Sequence, residues 1–301
     1  MVEIPFELNI NNLIDDLRII SWEASEILLH YSSLLKEGRN TKNFMQSKLG
    51  EDPVTLADLK VNELIIKRIN EKYDKTNWGI LSEENYKLDS EILQRKFDWE
   101  WILDPLDGTK DFIQGTGNYA MHLALNYKNR PYLGIVLIPE KDELWISDGK
   151  NLKCEKRNGS IYKLFEKPRS KNINQMTFVC SKNHRNKILE GLVEKMNFKK
   201  VNIMGSIGCK IASIIRGESD IYISLSLAGQ SAPKDWDFAA PEAILRASGG
   251  AITNLDNEDL IYNQKKFEQK GIIIATSNRE THAMKCSQVK EIIRKYNLFS
   301  Y

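Results

Sequence analysis

The chain has 301 residues, 42% hydrophobic and 28% charged, which suits one large domain or two lobes sharing an interface. Its 43 basic and 41 acidic side chains leave a formal net charge of +2, a near-balance that argues against DNA or RNA as the main partner. The four cysteines, Cys154, Cys180, Cys209 and Cys286, are widely spaced with no CxxC pair, which excludes a zinc-ligand spacing or a disulfide framework and predicts reduced, buried thiols.

From the N-terminus, MVEIPFELNINNLIDDL carries no basic-then-apolar signal region, and no apolar stretch approaches transmembrane length. The expected location is therefore cytoplasmic, with no membrane partner. Leu13, Leu17, Ile20, Ala24, Ile27, Leu28, Tyr31 and Leu35 recur at helical steps and predict an amphipathic helix over 10–36, capped at Asn11 or Asn12. Residues 38–53 are polar and aperiodic and read as a mobile loop. A second helix is expected over 55–72, burying Val61, Leu64, Ile65 and Ile69. Short strands follow at 79–81 and 100–103, then a meander at 119–127, 132–138 and 143–146 whose short turns imply antiparallel pairing.

Beyond residue 155 strands and helices alternate: strands near 178–179, 201–204, 221–224 and 272–275, and helices near 185–196, 208–216, 237–248 and 281–296. The expected organisation is an α+β lobe over 1–155 joined to an α/β lobe over 156–301. His122, flanked by apolar neighbours in YAMHLAL, reads as a packed strand residue. Trp99 and Trp101 read as core rather than base-stacking residues.

The chemistry concentrates in ILDPLDGTKDFI, where Asp104 and Asp107 follow an apolar strand. Two carboxylates so close repel unless one holds a proton or a cation lies between them. Magnesium, which prefers carboxylate and carbonyl oxygens, would relieve that repulsion, and Pro105 and Gly108 would shape the turn that lets both acids converge. Taken alone, the segment is equally compatible with an ordinary Asp-Pro-Gly turn. Glu83 and Glu84 in LSEEN also suit a solvated loop, Thr55 and Asp58 in DPVTLADL suit a helix cap, and Asp235 and Asp237 in KDWDFAAPEA suit a helix start.

Together and in this order, DPVTLAD, LSEE, WILDPLDGT and WD-x-AA resemble the inositol monophosphatase superfamily of metal-dependent phosphatases, over about residues 10–290. The resemblance implies a layered αβαβα sandwich of the inositol monophosphatase/fructose-1,6-bisphosphatase type. It implies magnesium (Mg2+, two or three ions) held by Glu83, Asp104, Asp107, Asp237 and the Leu106 carbonyl. It also implies that Asp58 and Thr109 position and deprotonate an attacking water, while Gly108 and Thr109 hold the phosphate through backbone N–H groups. Glu84 receives no role. Pro241, where many relatives have Gly, is expected to do no damage early in a helix.

DGTKDF resembles the DGTKEF form of the 3′(2′),5′-bisphosphate nucleotidases more than the DGTTNF of inositol phosphatases. That implies a small-molecule partner, 3′-phosphoadenosine 5′-phosphate (PAP) or its sulfated relative PAPS, inhibition by lithium and a role in sulfate assimilation, in a monomer or homodimer. Ser181, His184, Ser206 and Lys210 match that family's nucleotide contacts, with the Gly205-Ser206 turn opening a helix as an anion site. An inositol or other sugar monophosphatase is the alternative within the superfamily. A non-catalytic nucleotide sensor is the alternative outside it.

Overall fold

The structure, a computed structural model, describes residues 8–37, 45–48, 52–88, 97–162, 172–181, 187–227 and 229–299, with side chains described outside 45–48 and 52–55. Helix α1 (Ile10–Lys36) opens the fold. Its cap is Asn9, whose side chain accepts from the Asn11 N–H, and not Asn11 or Asn12 as the sequence predicts. Within the expected loop, β1 (Met45–Lys48) and β2 (Asp52–Thr55) form an antiparallel hairpin, and the rest of that loop lies outside the described residues, as does the Thr55 side chain. Helix α2 (Leu56–Tyr73) follows directly.

A six-stranded sheet comes next, built from β3 (Gly79–Ser82), β4 (Trp99–Asp107), β5 (Ala120–Tyr127), β6 (Arg130–Ile138), β7 (Glu143–Ser147) and β8 (Leu152–Glu155) in that order. Only β3 and β4 pair in parallel, and β8 is a strand the sequence reading lacked. Helix α3 (Glu83–Leu88) begins at the first residue past β3, and α4 (Thr109–Ile113) just past β4.

The second sheet runs β10-β9-β11-β13-β12, from β9 (Thr177–Cys180), β10 (Lys200–Ile203), β11 (Ile221–Ser226), β12 (Ala251–Asn254) and β13 (Gly271–Thr276). Its pairs with β9 are parallel and those with β13 antiparallel, and β12 is again unpredicted. Helices α5 (Lys187–Met196), α6 (Ile207–Ile215), α7 (Asp235–Ala247) and α8 (Arg279–Tyr296) complete the chain. All four cysteines are free and buried. No helix among the described residues is long and apolar enough to cross a membrane.

Three apolar clusters show the layering. Leu13, Leu17, Val61 and Ile65 from α1 and α2 pack with Trp101, Leu103 and Leu123 on the outer face of the first sheet. Trp78 stacks on Trp99 at 5.7 Å there, so the tryptophans belong to the core. On the inner face, Ile102, Ala124 and Val136 meet Ile211 of α6, Phe238 and Ile244 of α7, and Tyr222 and Ile273 of the second sheet. Leu189 and Val289, from α5 and α8, cover the far face of that sheet with Phe178 and Ile274. The order helix, sheet, helix, sheet, helix is the expected sandwich. Because the middle cluster draws on both sheets, the two halves share one core.

Pro241 corrects an expectation. Helix α7 starts at Asp235, so Pro241 lies past the first turn, where it removes an N–H that would otherwise bond the Asp237 carbonyl. The helix nevertheless continues, held against the first sheet by Phe238, Ala240 and Ile244. That contact is close at Gly134 of β6, where a Cβ would stand 2.6 Å from the Ala243 Cβ and 2.9 Å from the Ala240 carbonyl oxygen. Gly134→Ala is therefore expected to destabilise the fold by about 1–3 kcal/mol through overpacking. An unchanged urea midpoint would show that α7 does not sit this close to β6.

Candidate active site

Strand β4 is buried along almost its whole length because helices cover one face of the sheet and the middle layer the other. Its register against β5 then slips. Asp104 stands opposite His122 and Asp107 opposite Ala120, so three residues of β4 span two of β5. That extra residue is a bulge, and it brings Asp107 onto the same inner face as Asp104, which strict alternation would forbid. The strand thus runs on through DPLD, where the sequence predicts a turn after Leu103. Gly108 follows with φ +89°, a left-handed conformation suited to glycine, and a Cβ there would press on the Asn118 oxygen and the Ser206 nitrogen at 3.0–3.1 Å.

Asp104, Asp107 and Asp237 come together, each offering an oxygen, with the ligand atoms all within 4.8 Å of one another. One oxygen of each is anchored. Asp104 Oδ1 accepts from the Leu106 N–H at 3.0 Å, and Asp237 Oδ2 from the Lys234 N–H at 2.5 Å. Asp107 Oδ2 accepts from the Ser206 hydroxyl at 2.7 Å and from the Ile207 and Gly208 N–H groups at 2.5 and 3.3 Å. The other oxygen of each accepts no hydrogen bond among the described residues. Three anchored carboxylates with ligand oxygens this close together are the donor set a hard divalent cation takes, so the residues fit magnesium.

The electrostatics agree. Burial pushes Asp104 well above the usual carboxylate range, helped by the charges of Glu83, Asp107, Asp237 and Asp58. Asp237 is likewise raised, by burial and then by Asp107. Glu83, at the start of α3, is raised by burial, with Lys87 opposing and Glu84 and Asp107 adding to it.

A cavity of about 570 Å³ opens over this cluster, ample for a nucleotide-sized ligand. Asp58, Glu83, Leu106, Gly108 and Thr109 line it together with the three aspartates, so every expected member of the metal and water-handling set reaches one cavity. Thr109 donates its hydroxyl to the Leu106 carbonyl at 3.2 Å. Ser181 and Lys210 line the cavity too, while His184 lies outside the described residues.

The anion site expected at the start of α6 is corrected. Ser206 caps α6 and accepts from the Cys209 N–H, but its hydroxyl and the next two N–H groups already serve Asp107. A helix N-terminus takes the nearest anion, and the fold supplies an internal one. Lys210, only 1% exposed, donates to the Gly205 carbonyl at 2.7 Å and lies over the Tyr222 ring. Its pKa is lowered by burial, against the pull of Asp107.

Two residues gain a place the sequence reading did not give them. His122 is packed in its strand as expected, yet its Nε2 lies 3.4 Å from Asp107 Oδ2. Its pKa is lowered by burial. Lys87 lines the cavity and pairs with both Glu83 and Glu84. Its spacing from the two glutamates is the i+4 and i+3 of a helix, a signal visible only once α3 is known to begin at Glu83.

Carboxyls whose pKa is raised in the fold favour folding below the unfolded value, about 4, and lose that advantage as pH rises through the folded value. A bound divalent cation removes the penalty. The rise in Tm between EDTA and saturating magnesium is therefore expected to grow from about pH 5 to about pH 8. A pH-independent rise would contradict the clustering of these acids.

The sequence pattern described as "Inositol monophosphatase family" matches residues 14–294. A Haemophilus influenzae protein named 3′(2′),5′-bisphosphate nucleotidase CysQ is 28% identical over 248 residues, covering 80% of this chain and 87% of the relative. The mouse protein named 3′(2′),5′-bisphosphate nucleotidase 1 is 28% identical over 280 residues, covering 83% and 86%. Among solved structures, an IMPase of Thermotoga maritima superposes with a TM-score of 0.67 at 19% identity, covering 95% of this chain and 99% of that one.

Proposed function

Since the chain belongs to the inositol monophosphatase family, we propose that it is a magnesium-dependent phosphatase that hydrolyses the 3′-phosphate of PAP, and of PAPS, to release phosphate and leave the 5′-substituted nucleotide. The convergence of Asp104, Asp107 and Asp237 within 4.8 Å at the floor of the cavity carries the reading. The Lys110-Asp111-Phe112 ending of the loop and the names of the two bisphosphate nucleotidase relatives support the choice of substrate.

Glu83, Asp104, Asp107, Asp237 and the Leu106 carbonyl would hold the divalent ions, which would supply Lewis acidity and lower the pKa of a bound water. The side chains do the rest. The Thr109 hydroxyl spends its proton on the Leu106 carbonyl, which leaves its lone pairs to accept a hydrogen bond from the attacking water. Asp58, buried in the first turn of α2 and lining the same cavity, takes the proton that water sheds. Backbone N–H groups of Gly108 and Thr109 hold the phosphoryl group while water approaches opposite the 3′-oxygen. The P–O bond to that oxygen breaks, its electron pair stays on the 3′-oxygen, and a solvent water in the cavity protonates it to the 3′-hydroxyl. No side chain forms a bond to phosphorus, which leaves the buried Cys209 without a chemical role.

The phosphate that is kept needs its own partners. Lys210, which lines the cavity, supplies a cation for it, with Ser181 and His184 as further nucleotide contacts. Ser206, whose hydroxyl holds Asp107, acts by positioning that carboxylate.

A panel of phosphate esters, each assayed with and without magnesium, tests the proposal. PAP is expected to give the highest kcat/KM, with no turnover in EDTA. A strong preference for inositol 1-phosphate would replace the substrate and keep the family chemistry. Phosphate release from no ester would leave binding without catalysis. Asp237→Asn is expected to lower kcat/KM by about a thousandfold or more, in line with losses of transition-state charge stabilisation. Lys210→Met is expected to raise KM for PAP at least about tenfold while changing KM for a simple monophosphate far less.

A further inference from the structure

Helix α3 carries the second glutamate of LSEE, for which the metal cluster offers no use. Glu84 is only 3% exposed at its side chain, and its Oε2 has no hydrogen-bond partner among the described residues. Its Oε1 accepts from the Lys87 ammonium at 2.9 Å. The same ammonium lies 2.9 Å from Oε1 of Glu83, whose side chain is 27% exposed and opens to the cavity. No other cation among the described residues is within ion-pair distance of either glutamate.

We propose that Lys87 is a built-in counter-cation that competes with the divalent ion for Glu83, with Glu84 as the buried anchor that keeps the ammonium beside the site. The inference rests on the metal-dependent reading above and adds to it a residue that sets how tightly the ion is held. Helix geometry makes the arrangement possible: residues three and four along from Lys87 toward the N-terminus lie on its own face, so one ammonium reaches both carboxylates. A divalent ion drawn to Asp104, Asp107 and Asp237 shares Glu83 with that ammonium. Two like charges on one carboxylate in a partly buried site repel, and the repulsion opposes binding. Glu84 holds Lys87 through its own bond, so the lysine can release Glu83 without leaving. Lys87 also offsets part of the acid cluster's repulsion whenever no ion is bound.

The test reads ion binding without substrate. Magnesium titrations followed by thermal shift and by calorimetry are run on wild type, Lys87→Met, Lys87→Gln and Lys87→Arg. Lys87→Met and Lys87→Gln are expected to lower the magnesium midpoint about five- to tenfold and to lower Tm in EDTA, so the span between EDTA and saturation widens. Lys87→Arg keeps the charge and is expected to stay within about twofold of wild type. An unchanged or raised midpoint in the neutral variants overturns the proposal, a raised one meaning that Lys87 orients Glu83 for the ion. If Lys87→Met does not fold, Lys87→Gln carries the same expectation. Wild type that binds no magnesium at all would instead defeat the metal-dependent reading itself.

Discussion

Burying several carboxylates at one point is the constraint around which this molecule is organised. Each would be far better solvated in water, and burial together with the neighbouring charges raises the pKa of Asp104 and Asp237. The fold meets this with directed dipoles rather than with packing. The backbone of the bulge turns an N–H onto Asp104, the N-terminus of α6 aims two N–H groups and a hydroxyl at Asp107, and the approach to α7 gives one N–H to Asp237. These donors reduce the repulsion on one side of each carboxylate and orient the other side. The remaining charge is what a hard cation finds attractive.

The same constraint explains why the site sits where strand ends and helix starts meet. A strand end can carry a side chain onto a chosen face, and a bulge can change that choice by one residue. Helix starts bring unpaired N–H groups. The three aspartates therefore come from two elements far apart in sequence, with a third element, α6, contributing the hydroxyl of its cap and two N–H groups. The apolar layers on either side exclude water from all but the cavity.

Much of this was legible in the sequence. Helical periodicity placed α1 and α2, and the runs of apolar residues placed the meander of the first sheet. The acidic motifs, taken together through their resemblance to the inositol monophosphatase superfamily, named the aspartates that converge. What escaped reading depends on contacts between distant parts. The short strands β8 and β12 have little pattern of their own and exist because neighbours pair with them. The bulge in β4 is a matter of register with β5, which no single strand records. Ser206 looked free to hold a phosphate, since nothing local tells that Asp107 arrives from ninety-nine residues earlier. Pro241 was expected to lie early in its helix, but α7 starts at Asp235 and places the proline in its interior. Glu84 suited a loop because nothing in LSEEN shows that α3 begins at Glu83.

Asp107 belongs to the first sheet, yet its oxygen is gripped by the opening turn of a helix from the second half of the chain. Any swing of the two halves about a hinge would pull that carboxylate from its neighbours and dismantle the cluster. The core scaffold must consequently behave as a single body through a catalytic cycle.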